Sequence, residues 1–289
     1  MYFAAYESNG LAGIAASEDG QAFFGVTEGH ADYPGNIDTL LRAGANLKDF
    51  ARLLRACPEV DMDEVKLLPP VQLPSKIICV GLNYADHAAE TGFDMPVYPT
   101  LFARFNSSLV AHLRHIVKPT VSDQLDFEGE LAVVIGIGGR KIQIKDALKH
   151  VAGYAVFNDG TIRDYQFRTP QWTMGKNFDN TGAFGPYLVT PESLPAGARG
   201  LAIRTRLNGR VVQESNTAQL IFDVPKLINL LSEAFTFTPG DVIITGTPSG
   251  IGFSRSPQLF MKAGDVCEVE IEGIGLLRNY IIDENQPSG

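Results

Sequence analysis

Asp126, Glu128 and Glu130 alternate along Asp126-Phe127-Glu128-Gly129-Glu130, directly ahead of the apolar run Leu131-Ala132-Val133-Val134-Ile135. Side chains two apart on a strand point the same way. A strand that starts at Glu128 therefore puts Glu128 and Glu130 on one face, joined by Asp126 if it starts earlier. Carboxylates crowded on one face repel each other unless positive charge lies between them, and a hard divalent cation such as Mg²⁺ or Ca²⁺ prefers oxygen ligands. A solvated acidic face at the start of an edge strand is the competing reading of the same spacing. The apolar run that follows favours a buried strand, where unpaired carboxylates are costly.

Other residue types capable of chemistry lie on either side. Asp159, in Asn158-Asp159-Gly160, closes a strand-like run at the mouth of an irregular stretch. Catalytic groups collect in such loops, although Asp-Gly is equally an ordinary turn. His87 and Glu90 are three apart, so one helical turn puts them on a common face. A carboxylate that fixes the imidazole tautomer makes a general base, and an exposed surface pair has the same spacing. Lys176, in Met174-Gly175-Lys176-Asn177, is placed to neutralise an oxyanion or to be a surface lysine. Arg163 and Asp164 read equally as a structural ion pair. Around Thr247, the run Thr245-Gly246-Thr247-Pro248-Ser249-Gly250 offers a hydroxyl and backbone N–H groups to a small carboxylate. It lacks the Gly-Lys-Ser/Thr ending of a nucleotide phosphate loop. Gly136-Ile137-Gly138-Gly139 lacks the dinucleotide spacing, and no Gly-x-Ser-x-Gly elbow of a serine hydrolase is present.

Positioning such a set needs a sizeable scaffold. The 289 residues, 45% hydrophobic, suffice for one large domain with a smaller one attached. A formal net charge of -9 without a Lys/Arg cluster disfavours nucleic acid and anionic membrane surfaces as partners. Cys57, Cys79 and Cys267 have neither metal spacing nor a paired framework, which fits a reducing cytoplasm. The first residues do not have the pattern of a signal peptide. No apolar run approaches the roughly 20 residues needed to span a bilayer.

Asn9-Gly10 and Asp19-Gly20 predict hairpin turns among short strands over residues 1–30. Leu40, Leu41, Leu47, Phe50, Leu53 and Leu54 predict one or two amphipathic helices interrupted near Gly44. A proline-rich stretch ending at Pro74 marks a boundary between a small N-terminal α/β domain, residues 1–73, and a larger domain, residues 74–289. In the larger part, strands are expected at 77–81, from Glu128 to Gly136, and at 153–157, 201–208, 241–245, 266–272 and 276–282. Helices are expected at 144–150 and 224–235. Residues 160–186 form a long irregular region, which is more often functional than not. Residues 91–98, with Gly92 and Pro96, are a candidate lid. Strands joined mostly by hairpins make an α+β protein with an antiparallel or mixed sheet.

The order and spacing of five motifs resemble the fumarylacetoacetate hydrolase family. They are Gly81-Leu82-Asn83-Tyr84-Ala85-Asp86-His87; the carboxylate strand from Asp126 to Gly136; Gly153-Tyr154 with Asn158-Asp159-Gly160-Thr161-Ile162-Arg163-Asp164-Tyr165-Gln166; Gly175-Lys176-Asn177-Phe178-Asp179; and Pro239-Gly240-Asp241 through Thr245-Gly246-Thr247-Pro248. The resemblance covers roughly residues 74–283. It implies a mixed β-sandwich roll, commonly a homodimer, with Mg²⁺, Mn²⁺ or Ca²⁺ held by Glu128, Glu130 and Asp159. By the same resemblance His87 and Glu90 match a water-activating pair, Lys176 a lysine beside the metal, and Tyr84, Arg163, Gln166 and Thr247 substrate-contacting positions. The chain departs from the family in reading Asn-Asp-Gly-Thr-Ile-Arg-Asp for the usual Asn-Asp-Val-Ser-Ala-Arg-Asp, and in carrying Arg104 where a lysine is common. The implied activity is hydrolytic C–C cleavage of a small 2,4-diketo acid of acylpyruvate type, in aromatic or sugar catabolism. Isomerisation or decarboxylation of a related 2-oxo acid at the same metal site, and a non-catalytic metabolite-binding protein, are the alternatives.

Overall fold

A computed structural model describes residues 1–86 and 96–286. At Asn9 and Gly10 both φ angles are positive, 51° and 78°. That pairing suits the tight hairpin between strands Tyr2–Ser8 and Leu11–Ser17. Helices Ile37–Arg42 and Leu47–Leu54 are capped by the side chains of Asn36 and Asn46. Gly44, at φ 70°, breaks them apart where a residue with a Cβ would be strained.

The described strands form one twelve-stranded sheet, one five-stranded sheet and a short two-stranded ribbon. At the centre of the large sheet, Gly129–Ile135 lies between Val151–Asp159 and Val242–Ile244, antiparallel to both. Val242–Ile244 runs parallel to Ile77–Gly81, which pairs with the edge strand Thr100–Arg104. The sheet is thus mixed, as the hairpin-rich pattern predicts.

Every residue of Gly129–Ile135 is buried, because the strand is covered on both faces. Leu131, Val133 and Ile135 pack with Ile203, Val269 and Leu277 of the five-stranded sheet and with Leu227, Ile228 and Leu231 of helix Val224–Ala234. Ala132 and Val134 face the other way, into a cluster with Phe3, Ile14, Ile37, Leu40 and Leu47. The N-terminal segment is therefore part of the same body. Tyr2–Ser8 pairs with Gly182–Val189 and prolongs the large sheet, and the two N-terminal helices roof its second face. Some 70 residues make a thin core alone, and here they share one with the strands after residue 74.

The long stretch after Asp159 is less irregular than its composition suggests. It contains the four-residue helices Arg163–Gln166 and Thr173–Lys176 before Gly182–Val189 resumes the sheet. Residues 144–150 are helical as expected, in the tighter 3₁₀ form.

Candidate active site

Register brings the acidic residues together. Gly129 pairs with Asn158 and Glu130 with Phe157. The same register sets Glu128 opposite Asp159, whose N–H donates to the Glu128 carbonyl at 2.8 Å. Opposed residues share a face, and Glu130 lies two positions along from Glu128. All three are buried, and one carboxylate oxygen from each lies within 4.8 Å of the other two.

Asp126 is not part of this cluster. Its Oδ1 accepts the N–H groups of Phe127 and Gly252, both at 2.8 Å. Its Oδ2 accepts from Phe253 N at 2.9 Å and Arg163 Nε at 2.8 Å. Gly252 makes this approach possible, since a Cβ there would lie 2.6 Å from Asp126 Oδ1.

Three buried cations back the three carboxylates. Arg104 donates to Asp159 Oδ1, to the Gly160 carbonyl, to Thr181 Oγ1 and to Ser108 Oγ. Arg163 Nη2 lies 2.7 Å from Glu128 Oε1 as an ion pair, without the alignment of a hydrogen bond. Lys176 Nζ bridges Glu128 Oε2 at 2.6 Å and Asp159 Oδ2 at 2.7 Å. Glu130 Oε2 accepts the N–H of Gly246, which holds φ 105° to present it. Each acid thus has one oxygen fixed by Arg104, Arg163 or Gly246. The second oxygens of Glu128 and Asp159 converge on the Lys176 ammonium.

The electrostatics favour additional positive charge at this cluster. Burial, reinforced by Asp159 and Glu128, raises Glu130 well above the ordinary carboxylate range. Burial acts to lower Lys176, but the charges of Asp159 and Glu128 outweigh it and its pKa is raised. Its ammonium is a fixed charge and a poor base. Three buried oxygen donors, with no sulfur or nitrogen among them, suit a hard divalent cation of the Mg²⁺, Mn²⁺ or Ca²⁺ kind.

A cavity of about 220 Å³ opens above this floor. Among the described residues, Glu128, Glu130, Arg163, Gln166, Lys176 and Thr247 line its polar side, and Val80, Leu82, Phe102, Phe167, Trp172, Ile251 and Phe253 its apolar side. The residues expected at the site take distinct positions. Gln166 Oε1 accepts from Arg163 Nη1 at 2.9 Å, which leaves its amide nitrogen as a donor to the cavity. Arg163 lines the cavity, but its nitrogens face Asp126, Gln166 and Glu128. Thr247 Oγ1 accepts from Gln213 Nε2 at 2.8 Å and donates to the Gly129 carbonyl at 3.1 Å, so its proton points away from a ligand. Tyr84 is fully buried and its hydroxyl has no hydrogen-bond partner among the described residues. Burial, then the nearby charges of Glu130 and Asp86, raises its pKa and keeps it protonated. His87, Glu90 and the expected lid through residue 95 lie outside the described residues.

Two contributors had no site signal in the sequence. Arg104 stands out there only as a departure from a pattern, yet it anchors Asp159. Gln213, on strand Arg210–Asn216, accepts the N–H of Gly129 at 3.0 Å, between the two glutamates. A glutamine inside a strand has no spacing that announces such a role.

Residues 76–282 match the family described as fumarylacetoacetate (FAA) hydrolase C-terminal. The chain belongs to the fumarylacetoacetate hydrolase family. It is 42% identical over 253 residues to the human protein named oxaloacetate tautomerase FAHD2A, mitochondrial, covering 86% of this chain and 80% of that protein. The fumarylacetoacetate hydrolase structure from psychrophilic Exiguobacterium antarcticum superposes with a TM-score of 0.85 at 33% identity, over 98% of this chain and all of that one. A 2-hydroxyhepta-2,4-diene-1,7-dioate isomerase from Mycobacterium marinum does so with a TM-score of 0.76 at 28% identity, over 99% of this chain and all of that one. These family members thus bear the names of a tautomerase, a hydrolase and an isomerase. No helix of the described residues is long and apolar enough to cross a membrane.

Proposed function

We propose that this chain is a divalent-cation-dependent enzyme that carries a small 2-oxo acid through its enolate, with keto–enol tautomerisation as its reaction. The observation that carries this reading is the buried triad of Glu128, Glu130 and Asp159, each acid anchored through one oxygen, on the floor of a largely apolar pocket. Those three residues would hold the cation, which supplies Lewis-acid polarisation of a carbonyl oxygen when bound. Lys176 adds a fixed ammonium beside the place where enolate charge develops, and stabilisation aimed at developing charge is the strongest electrostatic contribution to catalysis. Gln166 offers an amide N–H to the substrate carboxylate. The aromatic wall excludes water, which strengthens each of these interactions.

The names of the relatives favour tautomerisation over the C–C hydrolysis implied by the motifs. Hydrolysis of an acylpyruvate is the second reading, because His87 and Glu90 supply the spacing of a water-activating pair. Both are tested on oxaloacetate, phenylpyruvate and acetylpyruvate, first with EDTA and then with Mg²⁺ or Mn²⁺ restored. Metal-dependent loss of the enol ultraviolet band without cleavage is the expected result. Release of pyruvate plus a carboxylic acid, abolished in His87→Ala, would move the assignment to hydrolase, and CO₂ release to decarboxylase. Turnover of none of them would leave a metabolite-binding protein.

A further inference from the structure

We propose that the pocket takes 2-oxo acids with one carboxylate and a flat apolar substituent, an aryl group above all, in preference to 2-oxo dicarboxylic acids. This rests on the reading of the floor as a 2-oxo acid centre and deepens it.

The first support is the wall. Leu82, Phe102, Phe167, Trp172, Ile251 and Phe253 form the apolar lining of the cavity, and the Phe102 ring lies 4.8 Å from the Lys176 ammonium, where lining and floor meet. Trp172 is seated against the backbone at Gly81, where a Cβ would come within 2.4 Å of the indole. Its ring meets that of Phe102 at 5.6 Å. Phe167 and Phe253 come from different loops and meet at 5.1 Å. A surface of this composition gains by covering an apolar ring, and aromatic faces add directional contacts to the area term.

The second support is charge. The positive groups among the described lining residues are Arg163 and Lys176, and each already lies against two carboxylates. Around the floor, the four buried acids Asp126, Glu128, Glu130 and Asp159 outnumber the three cations Arg104, Arg163 and Lys176 by one. A divalent cation turns that balance to one positive charge, which a single substrate carboxylate cancels. Among the described lining residues a second carboxylate would meet only the apolar wall and cations already paired, at a cost in hydration.

The test uses unreactive isosteres on the Mg²⁺-loaded full chain, with affinities read by calorimetry. Oxalate reports the head site alone, N-phenyloxamate adds a ring, and N-oxalylglycine adds a second carboxylate. N-phenyloxamate is expected to bind at least about tenfold tighter than N-oxalylglycine. Trp172→Ala, and independently Phe253→Leu, should bring the two affinities towards each other. Equal or tighter binding of N-oxalylglycine overturns the proposal, as does a preference that both variants leave at full size. Failure of oxalate itself to bind refutes the 2-oxo acid reading, and the tail preference falls with it.

Discussion

Arg104 decides how Asp159 is presented. Its guanidinium is fully buried and engages the carboxylate, a carbonyl and two hydroxyls at once. Replacing it by methionine leaves the buried Asp159 with Lys176 as its remaining counter-charge among the described residues. Removing one partner of a buried pair typically costs about 3–5 kcal/mol. Arg104→Met should therefore lower stability by about that amount in urea denaturation, and Arg104→Lys by less, because an ammonium reaches fewer of the four acceptors. Unchanged midpoints would contradict the role given to Arg104. At this scale, period-two spacing revealed Glu128 and Glu130, since alternation along a strand is local. The exclusion of Asp126 was not legible, because the guanidinium that claims it lies 37 residues further on. Gln213 is 84 residues from the Gly129 N–H that it accepts, so the clamp between the two glutamates exists only in the folded chain.

At the level of elements, the site depends on two helices of four residues each. Thr173–Lys176 carries the ammonium, and it packs so closely on Arg163–Gln166 that a Cβ at Gly175 would lie 2.4 Å from Gln166 N. Gly175→Ala must push the two apart and draw Lys176 away from Glu128 and Asp159. The expected result is a fall in kcat of at least about tenfold, with the far-ultraviolet spectrum retained. Wild-type turnover in a folded Gly175→Ala protein would show that the position of Lys176 is not critical. Helices this short cannot display a 3.6-residue period, which is why residues 160–186 read as irregular. The hairpin at Asn9-Gly10 and the helix Val224–Ala234 were legible, because turn chemistry and sustained periodicity are local signals.

For the molecule as a whole, strand pairing such as Tyr2 with Val189 joins the N-terminal segment to the larger part, linking segments that no local pattern connects. The molecule's stability should respond to acid through His112, in the turn between strand Leu109–Val110 of the large sheet and strand His115–Lys118 of the five-stranded sheet. The ring's Nδ1 accepts the Arg278 N–H at 3.0 Å, and burial, followed by the Arg278 charge, pushes its pKa down to about 4. The fold holds this imidazole neutral, so its contribution is intact above the unfolded value near 6.5 and is lost as pH falls from there towards about 4. Between pH 7 and pH 5 the loss should be about 2 kcal/mol, and His112→Asn, which keeps an acceptor, should flatten that slope. An identical slope in the variant would assign the acid sensitivity elsewhere. The claim on which the functional account turns is that Glu128, Glu130 and Asp159 hold a divalent cation. The most direct measurement is a titration of EDTA-stripped protein with Mn²⁺, free ion being followed by electron paramagnetic resonance, for the natural chain and for Glu130→Gln. One tightly held Mn²⁺ per natural chain, lost in the variant, is the expected result. No binding to the natural chain, or equal binding to both, would contradict it.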